Sequence, residues 1–315
     1  MKSLSATLER TGIWIRAARL PFLTATLVPV ILGTAIAWYR TGSFNPGYFL
    51  VALAAVALAH LGTNLTNDYY DHLSGNDEAN VRFSPFNGGS RVIQNGQIAA
   101  RHILYAALLC FGGATALGVY LLLATGKVAI VLFGVTGILC GFFYTASPVR
   151  IGYHAFGELA VGFGFGPLSL MGSYWIQTFS FDIVPALASV PVGILIMLVL
   201  LINEFPDYDA DGAVGKKTLV VLLGKQRAVR LYHSLLLLSY LFIVAMVIAR
   251  VFPIFCLAAL MTLPIAHRAV TVSRKYHSSH PELLPANAAT IALHLLIGLS
   301  LTGGFLLGKL VAAAV

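Results

Sequence analysis

Nine runs of predominantly apolar residues follow one another along this chain, at about 20–39, 46–66, 103–123, 128–145, 155–176, 184–204, 231–249, 251–267 and 286–312. A hydrocarbon core about 30 Å thick is crossed by roughly 20 residues of α-helix, so each run has the length of one transmembrane segment or close to it. Composition agrees. Of 315 residues, 58% are hydrophobic and only 10% charged, and the mean hydropathy is +0.84, whereas a water-soluble domain carries roughly a quarter charged residues. No Pro-, Gly- or Ser-rich linker divides the chain, so residues 1–315 are read as a single domain in a lipid bilayer: an all-α integral membrane bundle of nine transmembrane helices.

Charge orients the bundle. Lys2, Arg10, Arg16 and Arg19 precede the first apolar run, and no small-residue cleavage site ends that run, so it is read as a retained helix. Lysine and arginine near helix ends collect on the cytoplasmic side. With the N-terminus cytoplasmic, all but four of the 20 Lys and Arg fall in inner segments; Arg40, Lys127, Arg250 and Lys309 are the exceptions. The formal charge of +8 is thereby explained by topology. No basic run with interleaved aromatics exists outside the loops, which argues against a nucleic-acid partner. Cys110, Cys140 and Cys256 sit singly in apolar stretches without C-x-x-C spacing, which implies neither a disulfide nor a metal site.

Two inner connections, about 67–102 and 204–230, are long, and they hold eight of the 12 carboxylates. The first carries Asn67, Asp68, Asp71, Asp77 and Glu78; the second carries Asn203, Glu204, Asp207, Asp209 and Asp211. On a continuing helix Asn67 and Asp71 share a face. Asp77 does not, so a break near Gly75 is expected to fold it back. Asn203, Asp207 and Asp211, spaced by four, are expected to form one stripe at the end of the sixth helix. A single acidic cluster is commonly a solvated face, but two with matching Asn-x-x-x-Asp openings at inner helix ends repel themselves unless a hard cation joins them. Mg2+ takes oxygen ligands, keeps waters and joins carboxylates to phosphates. Arg82 and Arg91 follow the first motif, Lys216 and Lys217 the second, and Gly88-Gly89 offers backbone amides, which together suit a diphosphate.

These motifs resemble the UbiA superfamily of intramembrane prenyltransferases: Asn67-x-x-x-Asp71 with Asp77, and Asn203-x-x-x-Asp207-x-x-x-Asp211 followed by Gly215-Lys216-Lys217-Thr218-Leu219. Arg16-Ala17-Ala18-Arg19, Phe86-Asn87-Gly88-Gly89-Ser90-Arg91, Tyr144-Thr145, Gly157-Glu158 and Phe165-Gly166-Pro167-Leu168 look like the branch that prenylates 1,4-dihydroxy-2-naphthoate in menaquinone synthesis. The resemblance implies nine helices around a central cavity, a prokaryotic inner (plasma) membrane, an active site toward the cytoplasm, and a prenyl tail in an apolar tunnel open to lipid. It implies Asp71, Asp77, Asp207 and Asp211 as Mg2+ ligands, partly through water, with Asp71, Asp207 and Asp211 catalytic. Asn67, Asn203, Arg91, Lys216, Lys217, Arg19, Tyr144 and Arg150 are the candidate contacts for the isoprenyl diphosphate and the aromatic acceptor. Where family members often have an arginine after the last aspartate, this chain has Gly212 and Ala213, which leaves that work to Lys216 and Lys217.

Other readings remain open at this point. A hydroxyquinoline or phenol acceptor fits the same chemistry. An ion-coupled transporter also uses intramembrane acids, but near the midplane and on broken, repeated helices. His60 and His294 inside apolar helices, His72 beside Asp71, and Glu158 at the start of the fifth helix each suit either a packing or a binding role.

Overall fold

The computed structural model describes residues 2–314, with side chains from residue 10 onward, so the side chain of Lys2 lies outside the described residues. An N-terminal helix α1 (Lys2–Ala17) precedes the first apolar run as a separate element, ended by Arg19 at φ 51°. The apolar runs follow as α2 (Leu20–Thr41), α3 (Pro46–Leu73), α4 (Ala100–Thr125), α5 (Ala129–Phe142), α6 (Gly157–Thr178), α7 (Ile183–Asn203), α8 (Lys225–Ile248), α9 (Ile254–Tyr276) and α10 (His280–Ala314). Among the described residues, eight are long and apolar enough to cross a membrane. The exception is α5: at 1.5 Å per residue its 14 residues reach about 21 Å, short of the hydrocarbon core. The sequence's break at Arg250 is real; α8 stops at Ile248, Arg250 turns at φ 59°, and Pro253 opens α9.

The interior centres on α7. Leu195, Leu198, Leu201 and Ile202 are fully enclosed and pack against Leu32 and Ile36 of α2, Tyr232 and Leu236 of α8, and Leu293 and Ile297 of α10. Leu109, Leu123 and Met261 face outward, as suits a surface solvated by acyl chains. Because lipid is as apolar as leucine, helices associate in it through close packing of small residues. The crossing of α6 and α7 shows how close: a Cβ on Gly166 would stand 2.7 Å from the Gly193 Cα. Pro167 lacks an N–H for the regular helical ladder, and around it α6 widens into a π-turn, Gly164–Leu168, that carries Phe165.

The two acidic motifs meet at one end of the bundle. As expected from the sequence, α3 breaks at Gly75 (φ 76°), and a short helix, Asn76–Ala79, folds Asp77 back. The second motif departs from expectation. Asn203, Asp207 and Asp211 do not share one helix, because α7 stops at Asn203 and a separate turn, Tyr208–Ala213, carries Asp211. Pro206 has no N–H to give the Ile202 carbonyl; Asn287 of α10 supplies that bond instead, at 3.2 Å. The helix Asn76–Ala79 packs on Tyr208–Ala213, and Arg82 joins Asp209 at 2.9 Å across the two connections.

Candidate active site

Lys216 stands between the motifs. Its Nζ lies 3.6 Å from Asp71 Oδ2 and 3.4 Å from Asp211 Oδ1, so one ammonium bridges the acids of both connections. Each acid is also held by neutral donors. Asn67 Nδ2 donates to Asp71 Oδ2 at 2.8 Å, the one-turn pairing that its spacing predicts, and the Tyr153 hydroxyl donates to Asp71 Oδ1 at 2.8 Å. Asn76 Nδ2 donates to Asp211 Oδ1 at 3.0 Å. Asn80 and Asn87 both donate to Asp207 Oδ1, at 2.7 and 2.5 Å. Asparagines from the first connection therefore hold Asp207 and Asp211 of the second.

Asp77 sits close under the glycine pair: at Gly89 (φ 73°) a Cβ would be 2.6 Å from Asp77 Oδ2, so only glycine lets the backbone pass there. Asp68, although inside the first motif, turns away to Arg19, whose Nη2 is 2.6 Å from its Oδ1, and to the Ser90 hydroxyl.

Crowding of carboxylates in a buried setting leaves the site short of positive charge. Burial first, then Asp71 and Asp68, push Asp77 up to about 8. Burial pushes Asp211 up to about 6 against the pull of Lys216, and burial likewise raises Asp207. Burial alone would discharge Lys216, yet Asp211 and Asp71 hold its ammonium well above the ordinary lysine range. Asp211 Oδ2 is enclosed without a hydrogen-bond partner. A hard divalent cation answers this deficit. Among the described residues no group of three or more acidic, His or Cys side chains is placed to hold a metal ion; an ion that keeps waters and takes further oxygens from a ligand, as Mg2+ does, would suit paired carboxylates of this kind.

Asp71, Asp77, Asp207, Asp211 and Lys216 line one polar cavity of about 180 Å³, and Asn67, Asn203, Arg19 and Tyr144 complete its wall. Asn203 is oriented by Asn287, which donates to its Oδ1 at 2.7 Å. Three sequence candidates lie off this wall. Arg91 donates to the Asp77 backbone carbonyl and lies 4.7 Å over the Phe83 ring. Lys217 is exposed, its backbone N–H bonded to the Tyr153 carbonyl at 3.1 Å. Arg150 donates to Ser147 at 3.0 Å and covers Tyr153 at 5.5 Å. Conversely, Asn76, Asn80, Asn87 and Tyr153 hold the acids without having been singled out by spacing. Repeated asparagine beside the acids was the available signal; for Tyr153 there was none.

A second cavity, about 210 Å³ and almost wholly apolar, continues from the first between α3, α4, α5 and α6, with Ala52, Ala59, Gly118, Gly137 and Leu168 in its wall. His60, Thr63, Tyr144, Val161 and Phe165 line both cavities and form the neck between them. His60 is set there by Thr26, 2.9 Å from its Nδ1, and by the Phe165 ring at 4.7 Å. His294, by contrast, is buried within α10 away from both cavity walls.

The family model for UbiA prenyltransferases matches residues 26–294. The chain is 32% identical to the 1,4-dihydroxy-2-naphthoate octaprenyltransferase of Haemophilus influenzae, across 98% of this chain and 100% of that protein. It is 34% identical to the Bacillus subtilis protein of the same name, across 72% of this chain and 70% of that one. Its fold is similar to that of a UbiA homolog from Archaeoglobus fulgidus solved with GPP and Mg2+, with a TM-score of 0.59 at 16% identity over 92% of this chain and 99% of that one. With the family match spanning most of the sequence, both acidic motifs inside it, the chain belongs to the UbiA prenyltransferase family.

Proposed function

We propose that the protein transfers a prenyl group from an isoprenyl diphosphate to 1,4-dihydroxy-2-naphthoate in menaquinone biosynthesis, with Mg2+ as its metal. The observation that carries this reading is the junction of two unlike cavities at the Tyr144 neck. An isoprenyl diphosphate is likewise two unlike halves joined at C1. Its head matches the polar cavity, its tail the apolar one, and C1 falls at the neck. Prenylation of the naphthoate is what the names of the Haemophilus and Bacillus relatives describe.

Asp71, Asp77, Asp207 and Asp211 would hold Mg2+, whose charge makes a diphosphate a better leaving group. Lys216, already drawn between the motifs, supplies the phosphate contact from the protein side, with Arg19, Asn67 and Asn203 around it. Arg91 and Lys217, expected from the sequence to share that role, are turned elsewhere, so the contact is assigned to Lys216. Tyr144 and Phe165 line the neck, where positive charge would develop on C1 as the C–O bond breaks and cation–π attraction would stabilise it. The electron-rich naphthoate ring then captures C1. Purified protein given Mg2+, farnesyl or longer diphosphates and a panel of aromatic acceptors should yield the mass of prenylated naphthoate product. Product from a phenol or hydroxyquinoline but not from the naphthoate would reassign the acceptor, and no product from any would reject the reaction.

The same reading places nine crossings in an inner membrane, with the N-terminus and the motif end cytoplasmic. It draws on the distribution of Lys and Arg. Val81, 83% exposed, and Gly212, with open space at its Cβ position, are suitable labelling sites, one in each connection. In a background lacking the three native cysteines, Val81→Cys and Gly212→Cys should react with impermeant maleimide only from the cytoplasmic side. Reaction from outside would invert the topology.

A further inference from the structure

A polar side chain at the junction of the two cavities has no part in the chemistry described so far. His60 lies within α3, before Asn67 and Asp71 on the same helix. At 1.5 Å per residue it stands roughly 10 Å from the level of Asn67 and 16 Å from that of Asp71, away from the acids that would hold a diphosphate. Inside an apolar helix such a residue is expensive and marks a functional position. Its ring is fixed on two sides, by the Thr26 hydroxyl 2.9 Å from Nδ1 and by a T-shaped contact with the Phe165 ring at 4.7 Å.

Thr26 decides which ring nitrogen carries the hydrogen. Thr34, Thr41 and Thr63 each donate a hydroxyl proton to the backbone carbonyl four residues back. Thr26 is fully buried and does not; among the described residues His60 Nδ1 is its side chain's hydrogen-bond partner. An enclosed hydroxyl gives its proton to the acceptor at hand. Nδ1 therefore accepts, and Nε2 bears the hydrogen of the neutral ring. Nε2 has no partner among the described residues, and unlike Nε2 of His294 it is not enclosed: it opens on the neck. Of the other neck residues, Val161 and Phe165 have no polar side-chain atom, and the Thr63 hydroxyl is committed to the Ala59 carbonyl at 2.9 Å. The Nε2–H of His60 and the Tyr144 hydroxyl are what the neck offers as donors.

We infer that His60 selects the aromatic acceptor: its Nε2–H donates to a hydroxyl oxygen on the acceptor ring and holds that ring at the neck. The inference rests on the prenyl transfer proposed above. A ring hydroxyl is the group that the naphthoate shares with a phenol or a hydroxyquinoline, and it belongs to the ring that must meet C1. Its oxygen keeps a lone pair for an N–H donor. No proton changes hands. His60 keeps its hydrogen and contributes orientation, so its loss is felt in acceptor binding and leaves the diphosphate end untouched.

The test measures equilibrium binding of two probes to the full chain in nanodiscs: 1,4-dihydroxynaphthalene, kept reduced, which has the hydroxyls alone, and 2-naphthoate, which has the carboxylate alone. His60→Asn keeps an amide for Thr26 but is too short to replace Nε2, whereas the amide of His60→Gln reaches that place. His60→Asn should bind the dihydroxynaphthalene about three- to tenfold more weakly than wild type, the loss of one neutral hydrogen bond. Its affinity for 2-naphthoate should be unchanged, and His60→Gln should bind both probes as wild type does. With substrates, His60→Asn should raise KM for the dihydroxynaphthoate and leave KM for the prenyl diphosphate at its wild-type value. A purely structural histidine would weaken both probes together or neither, and either result overturns the inference, as does a loss confined to 2-naphthoate. Should His60→Asn fail to fold, His60→Leu answers the same question by the same pair of affinities. The tautomer is read independently from imidazole 15N shifts: the resonances that vanish in His60→Gln should be those of a ring protonated at Nε2, and a ring protonated at Nδ1 overturns the inference. A wild-type protein that binds the dihydroxynaphthalene through His60 but makes no prenylated naphthoate defeats the function reading instead, a separate failure.

Discussion

Purified Asp207→Asn is expected to turn over prenyl diphosphate about 10²- to 10³-fold more slowly than wild type, the loss typical of deleting one preorganised electrostatic group. The substitution is well suited to isolating charge. Asn80 and Asn87 both donate to a single oxygen, Oδ1, and an amide oxygen in that place accepts both bonds unchanged. Asp71→Asn should cost at least as much, with an added structural component. Its two oxygens receive Asn67 Nδ2 and the Tyr153 hydroxyl separately, so an amide NH2 must face one donor, and Lys216 loses half of its counter-charge. Diphosphate release measures the rates, and a melting curve on each variant separates loss of charge from loss of fold. Near-normal turnover in either variant would remove the role of two converging acidic motifs.

Lys216→Gln is the second large effect. Removing one partner of a buried ion pair leaves an uncompensated charge, at a cost of roughly 3–5 kcal/mol where the pair is tight. The contacts here are 3.4 and 3.6 Å and the lysine side chain keeps 13% of its exposure, so the low end of that range is expected for the metal-free protein. Mg2+ should then recover stability, because binding to the folded state alone contributes RT ln(1 + [L]/Kd), about 2.7 kcal/mol at a hundredfold excess over Kd. Melting temperature against Mg2+ concentration reads this directly. The variant should start lower and rise further than wild type. Equal curves would show that the ammonium does not compensate the two motifs.

The reach of sequence reasoning can be traced residue by residue. Asn67 and Asp71 were legible because helical periodicity converts a spacing of four into a contact, and Gly75 because a helix that must reverse there needs φ > 0. The stripe expected of Asn203, Asp207 and Asp211 failed at Pro206, a signal present in the sequence but outweighed by the regular spacing. Asn80 and Asn87 meet Asp207 more than a hundred residues away, and Tyr153 reaches Asp71 across the bundle; no local periodicity encodes such pairings. Lys216 and Lys217 are adjacent and chemically identical, and only the turn at Gly215 (φ 74°) decides which one faces the acids. The short α5 and the separate α1 were hidden for another reason. Apolar length marks where a helix lies, whereas the residues at which its ladder of hydrogen bonds stops depend on neighbouring helices.

The apolar cavity has a kinetic consequence. At about 210 Å³ it exceeds the roughly 150 Å³ void that admits a benzene ring, but it is too small to enclose a long polyprenyl chain. The remainder of such a tail must lie among acyl chains, where each buried CH2 contributes about 0.8 kcal/mol. The donor is thus dissolved in the membrane before it meets the protein, and its effective concentration is a mole fraction in lipid rather than a molarity in water. Diluting the membrane phase with inert lipid at fixed total donor should slow the reaction, whereas diluting the aqueous phase should not. A Michaelis constant for a long-tailed donor acquires meaning only when expressed per unit of bilayer.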